Sequence, residues 1–206
     1  MSTAAVQLHP VQIARKFALL ATIGLLIAAF ALTRATLLGS LGHDLVLQVG
    51  RFLIVLCILG RAWCSLYIGG RKITELVRTG PYSLCRNPLY TLSILGAAGA
   101  GAQGGSLVVA VIAGIMTWLV FRLVVAREEA TLFDVHGEDY ATYVRTTPRF
   151  LPNPARWCDS EILEVRPGRV VTTFLDGLLF LAFIPIAGIL AKMSEAGLLP
   201  VLLYLP

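Results

Sequence analysis

The sequence predicts an all-α fold of the polytopic membrane class, and three observations carry that expectation. Of its 206 residues, 57% are hydrophobic and 14% charged, and the mean hydropathy of +0.79 lies outside the usual balance of soluble domains. The apolar residues gather into runs near the length of about 20 that a membrane span needs. Basic residues cluster in alternate polar gaps between those runs, the asymmetry that orients helices in a bilayer.

Phe17 to Leu38 is the first expected span and Leu45 to Ile68 the second. "AFA", Ala29 to Ala31, has the A-x-A form of a signal-peptide end, but the apolar run continues past it and reads as a span. From Leu89 to Ala126 the only charge is Arg122, a stretch too long for one span and suited to two joined by the small-residue turn "AGAQGG". Val170 to Met193 makes the fifth span, and the closing "GLLPVLLYLP" is too short to cross and is expected at the interface. The expected organisation is an N-terminal pair of spans over 1–69, a central core over 70–152, and a polar linker with the fifth span over 153–206.

Arg15 and Lys16 precede the first span, and Arg71, Lys72, Arg78 and Arg86 lie between the second and third. Arg127, Arg145, Arg149, Arg156, Arg166 and Arg169 lie between the fourth and fifth, whereas "GSLGHD" and "AGAQGG" carry no Lys or Arg. The N-terminus and both large polar loops are therefore expected in the cytoplasm, with the C-terminus outside, in a multi-pass protein of the plasma or inner membrane if the source is bacterial. The net charge of +5 follows from this bias and from attraction to anionic lipid, so a nucleic-acid partner is not expected. Cys57, Cys64, Cys85 and Cys158 lack zinc or C-x-x-C spacing and are expected as free thiols; His9, His43 and His136 are isolated, and no metal is expected. No P-loop, nucleophile elbow or G-x-G-x-x-G is present.

Chemistry is expected where the two polar loops meet. In "GPYSLCRNPLY", Gly80 to Tyr90, Pro81 and Pro88 stiffen the backbone, and Pro88 suits the first turn of the third span. Free N–H groups at that helix start, beside Arg86 and Asn87, form a seat for a carboxylate or other anion. Glu128 and Glu129 stand at the end of the fourth span, where a helix C-terminus disfavours negative charge. Arg122, Arg127 and Arg86 are the candidates to compensate them. Within the spans, Arg34 is expected to snorkel, and Arg61 to find a partner in Asp176.

"ELVRTGPYSLCRNPLY", a hairpin of two spans, "REE" and "HGEDYATYVRTTPRFLP" together resemble the membrane methyltransferases of the isoprenylcysteine carboxyl methyltransferase family and the related phospholipid methyltransferases. The resemblance covers roughly Gly60 to Pro152. It implies S-adenosylmethionine as methyl donor, bound on the cytoplasmic side between the loop before the third span and the helix after the fourth. The donor-binding positions it implies are Thr74, Glu75, Leu76, Val77, Tyr82, Asn87, Pro88, Leu89, Tyr90 and Glu128. Arg86 and Arg122 are expected to orient donor or acceptor carboxylates, with Glu129 in support. The acceptor implied is lipidic or amphipathic and reaches the site from membrane lipid. Isoprenylcysteine-like carboxyl O-methylation, phosphatidylethanolamine-type N-methylation and O- or S-methylation of a small apolar metabolite stay open, as does a non-catalytic scaffold that keeps the fold. Asn87 stands where the family's histidine is usual, Leu92 where a glycine is frequent, and Val124 where prenylcysteine methyltransferases carry an arginine.

Overall fold

The computed structural model describes residues 3–36, 39–69 and 75–206, with side chains described from Phe17 onward except at position 18. Thr74, Arg71, Lys72 and the side chains of His9, Arg15 and Lys16 lie outside the described residues. The chain is mostly helical: α1 (Thr3–Leu32), α2 (Leu41–Ile68), α3 (Pro81–Leu84), α4 (Pro88–Gly101), α5 (Leu107–Thr146), α6 (Pro167–Leu178) and α7 (Phe183–Glu195). A 3-10 turn, Leu179–Ala182, joins α6 and α7 into one 29-residue rod.

Helix starts are set by side chains that occupy otherwise orphaned N–H groups. Ser40 accepts from the His43 N–H at 3.2 Å to begin α2, and Ser106 accepts from Val109 at 3.3 Å to begin α5. Pro88 opens α4 at a position where its missing N–H costs nothing. The expected hairpin forms: α4 and α5 pack side by side across the turn at Ala102–Gly104.

Among the described residues, three helices are long and apolar enough to cross a bilayer: Leu41–Ile68, Leu107–Thr146 and Pro167–Glu195. The first expected span ends before Leu38, and the third is short. Among the described residues α1 carries the apolar stretch Leu19–Leu32, and the chain leaves the helix at Thr33. Helix α4 has 14 residues, or about 21 Å, against a hydrocarbon core of about 30 Å. Its place is central, between α2 and α5. Small residues permit this: a Cβ on Gly99 would lie 2.6 Å from the Gly50 carbonyl oxygen, so the α2 and α4 backbones meet directly. Leu20, Phe52, Leu59, Leu123 and Leu179 stay exposed on the outer helix faces, as lipid-facing side chains do.

At the far end of the bundle the fold departs from purely helical. Thr33–Ala35 pairs in parallel with Leu203–Leu205, so the closing segment joins a two-stranded ribbon. Arg34 is tied rather than simply snorkelling: it donates to Ser194 Oγ at 3.0 Å and lies 3.4 Å from Glu195 Oε1, joining the end of α1 to the end of α7.

Candidate active site

The proline loop is shaped by one glycine. Gly80 has φ +58°, and a Cβ there would sit 2.2 Å from the Tyr67 ring, so both backbone angle and space require glycine. Its N–H donates to the Cys158 carbonyl at 2.8 Å, and Ser83 Oγ accepts from the Cys158 N–H at 3.1 Å. The linker after α5 thus clasps the loop before α4. A second glycine, Gly137 at φ +51°, kinks α5 and turns its last segment, 138–146, back over the loop. Tyr143 then donates to the Tyr82 carbonyl at 2.6 Å, and Arg78 to the Asp139 carbonyl at 3.0 Å. The two polar segments meet as expected.

Their adjacent carboxylates have different surroundings. Glu129 lies between two cations: Arg86 Nη2 is 3.2 Å from its Oε1, and Arg149 pairs with its Oε2. Asn87 Nδ2 also donates to Glu129 Oε1 at 3.4 Å and to the Arg149 carbonyl at 3.2 Å. Arg86 further donates from Nη1 to the Val144 carbonyl and from its backbone N–H to the Pro148 carbonyl. This latch closes the proline loop onto the segment after α5. Glu128 points the other way, is 8% exposed, and accepts from Tyr90 OH at 2.8 Å.

Glu128 faces a cavity of about 400 Å³, within the range of ligand sites, whose wall includes Tyr82, Arg86, Asn87, Leu89 and Tyr90. Arg61 and Ser93 from the α2–α4 interface, Phe121, Leu19 and Thr173 complete it. Four buried side-chain polar atoms among the described residues lack a hydrogen-bond partner, and three belong to this wall: Arg61 Nε, Tyr82 OH and Arg86 Nε. Buried donors without partners are costly and rare, which makes this wall the candidate place for polar ligand atoms. Burial pushes the Tyr82 phenol well above its ordinary pKa, which keeps its hydroxyl proton in place as a donor.

The expected site residues thus divide. Tyr82, Arg86, Asn87, Leu89, Tyr90 and Glu128 come together on the cavity wall; Pro88 is buried just behind it at the start of α4. Glu75, Leu76 and Val77 are not on that wall; Val77 packs against Cys64, Tyr67 and Tyr82. Glu129 is in the latch. Arg122 does not join the site: it is exposed on the outward face of α5, its guanidinium 5.5 Å from the Trp118 ring centre, and Arg86 with Arg149 compensates Glu129 instead. The expected Arg61–Asp176 pair is absent as well; Arg61 Nη1 donates to Ser93 Oγ at 2.5 Å. Arg149, Ser93, Phe121 and Thr173 were not expected. Only Arg149, inside "PRFLP", stood in a segment that the sequence had singled out.

The fifth span contributes walls. Thr173 lines the polar cavity, while Asp176, Leu179, Phe180 and Phe183 line an apolar chamber of about 240 Å³. Leu19, Arg61, Ser93 and Phe121 belong to both walls, so the two spaces adjoin. Cys57, Cys64, Cys85 and Cys158 are free thiols. Among the described residues no three His, Cys, Asp or Glu side chains gather as a metal-binding group.

The family model described as phospholipid methyltransferase matches residues 47–139, which contain most of α2, the proline loop, α4, most of α5 and both glutamates. Over 161 residues the chain is 34% identical to the nickel-cobalt-cadmium resistance protein NccN of Alcaligenes xylosoxydans xylosoxydans, covering 78% of this chain and 75% of the relative. The cobalt-zinc-cadmium resistance protein CzcN of Cupriavidus metallidurans is also 34% identical over 161 residues, covering 78% and 74%. No solved structure matches.

Proposed function

The chain belongs to the phospholipid methyltransferase family, part of the isoprenylcysteine carboxyl methyltransferase-like membrane methyltransferases, and on that premise we propose that it transfers a methyl group from S-adenosylmethionine to an amphipathic acceptor. The observation that carries this reading is the cavity whose wall gathers a buried carboxylate, Glu128, with Tyr82 and Arg86, each of which holds a buried donor without a partner. The donor's chemistry matches that set. Its carboxylate suits Arg86 Nε and the Tyr82 hydroxyl; its ammonium or ribose hydroxyls suit Glu128; Leu89 and Phe121 offer apolar surface to the adenine. When bound, the donor supplies a methyl group on a sulfonium, activated for in-line displacement.

The protein's part is positioning and enclosure. Glu128 is oriented by Tyr90 OH, and Tyr90 is held in turn by its ring contact with Phe121, centroids 4.7 Å apart. Arg86 is oriented by Glu129 and the Val144 carbonyl, which leaves Nε without a partner in a residue that lines the cavity. Glu129 is therefore a positioning residue. The acceptor enters from the bilayer through the apolar chamber. We assign the site to the cytoplasmic side on the distribution of basic residues, with α1 and the short α4 completing five membrane-embedded helices. The relatives' names speak of resistance to divalent metals, and methylation that alters the charge of an envelope amphiphile would alter how many cations its membrane attracts.

Calorimetry with S-adenosylhomocysteine tests the donor site on protein purified in an uncharged detergent. Wild type binds, and Glu128→Gln loses about 1.5–3 kcal/mol of binding, the worth of a hydrogen bond to a charged group, without a change in melting temperature. No binding by folded wild type returns the chain to the scaffold reading, and unchanged affinity in Glu128→Gln removes Glu128 from the donor site.

A further inference from the structure

Arg61 is a cation placed deep in a membrane-spanning helix, and its surroundings leave it incompletely answered. Nη1 donates to Ser93 Oγ, Nε is buried without a partner, and no carboxylate among the described residues forms an ion pair with it. Ser93 is itself engaged, donating to the Leu89 carbonyl at 2.8 Å. A guanidinium held in an apolar span is expensive and needs an anion or a set of acceptors. The two nearest carboxylates on the cavity walls do not supply that anion. Glu128 is taken up by Tyr90, and Asp176 shares the apolar chamber with Arg61 without closing an ion pair.

Its position is as informative as its charge. Arg61 stands on the shared wall between the polar cavity and the apolar chamber, so a group bound to it touches the first while a hydrocarbon tail fills the second. The chamber beyond is built for such a tail: Leu26, Ala97, Ala113, Leu179 and Phe183 line it. Building on the donor-site reading above, we infer that the acceptor is an anionic amphiphile whose carboxylate or phosphate is seated by Arg61 and whose tail lies in the chamber between α1, α4, α5 and the fifth span. Arg61 is then a specificity determinant, separate from the donor residues.

Short-chain probes test this by calorimetry on the full chain saturated with S-adenosylhomocysteine in an uncharged detergent. Octyl phosphate or octanoate is expected to bind at least about tenfold more tightly than octanol, because a charge-assisted pair is gained. Whichever of the two anions binds more tightly identifies phosphate or carboxylate as the head group. Butanoate should bind severalfold more weakly than octanoate if the chamber takes the tail. Arg61→Gln should abolish the preference for anions while octanol and S-adenosylhomocysteine bind as in wild type; Arg61→Lys should restore part of it. The wild-type comparisons need no variant to fold. Equal binding of octanol and octanoate by wild type overturns the inference, as does a preference that survives Arg61→Gln. Loss of S-adenosylhomocysteine binding in folded Arg61→Gln also overturns it, by moving Arg61 to the donor. Anion preference in a wild type that binds no S-adenosylhomocysteine would sink the donor reading and leave the Arg61 site standing.

Discussion

The latch and the cavity are neighbouring polar regions built from the same two loops, and they treat their polar groups in opposite ways. In the latch, Arg86, Asn87, Glu129 and Arg149 satisfy one another and two backbone carbonyls. In the cavity, Tyr82 OH and the Nε of Arg61 and Arg86 are buried without partners. The polar groups of the latch are answered within the fold, whereas three on the residues of the cavity wall are left without a partner. Arg86 belongs to both regions, its Nη atoms to the latch and its Nε to the cavity. Substitutions in the two regions should therefore separate stability from binding.

The largest effect is expected from Glu129→Ala. The change removes the carboxylate between two guanidinium groups and leaves Arg86, whose side chain is 8% exposed, charged and buried without its counterion. Breaking a buried pair this way costs about 3–5 kcal/mol. A thermal melt in detergent should show a strongly destabilised or aggregated protein, and S-adenosylhomocysteine binding should fall as Arg86 loses its orientation. Arg149→Ala should be milder, because Arg149 is 39% exposed and better hydrated. A Glu129→Ala variant as stable as wild type would mean that the latch does not hold the loop.

Tyr82→Phe should do the reverse. Its hydroxyl is unpartnered in the folded chain, so removing it costs the fold no hydrogen bond and the melting temperature should hold or rise. Donor affinity should drop by about 1 kcal/mol, roughly fivefold, if that hydroxyl serves the donor. The pH dependence carries the same sign. Burial disfavours the phenolate and raises the Tyr82 pKa, so the hydroxyl remains a donor through the region near pH 10 where an ordinary tyrosine ionises. Titrating S-adenosylhomocysteine affinity toward that pH should reveal no loss that Tyr82→Phe removes.

How much of this was legible in the sequence depends on the range of the interaction. The membrane class, the hairpin and the convergence of the loops rest on hydrophobic runs and charge placement, which are local. The pairing of Glu129 with Arg149 depends on the kink at Gly137, and one glycine among 19 carries no mark of a positive φ. Arg122, near the glutamates in sequence, turns outward on α5, while the partners of Glu129 come from other segments: Arg86, a candidate from the sequence, and Arg149, which was not. Arg61 was visible as a costly intramembrane charge, but its place between two cavities required α4 to be packed against α2. The short α4 was missed for a related reason: apolar composition gives the length of a run, and the Gly99–Gly50 contact decides how deep it lies.

The smallest effect is a difference in reactivity that reports on the latch without altering it. Cys85 sits in the proline loop, fully buried, and burial pushes its thiol above the ordinary range. A raised pKa lowers the thiolate fraction at any given pH, so both access and ionisation protect it. Cys158, which donates its N–H to Ser83 Oγ and accepts from the Gly80 N–H, leaves its side chain exposed on the same clasp. Iodoacetamide at neutral pH, followed by peptide mass spectrometry, should label Cys158 quickly and Cys85 slowly. Under milder conditions than those that unfold the bundle, opening the latch with Glu129→Ala should accelerate Cys85 while Cys57 and Cys64, buried in α2, stay protected. If Cys85 instead reacts in step with Cys57 and Cys64, the loop and the bundle open as one unit, and the latch is part of the core rather than a closure laid over it.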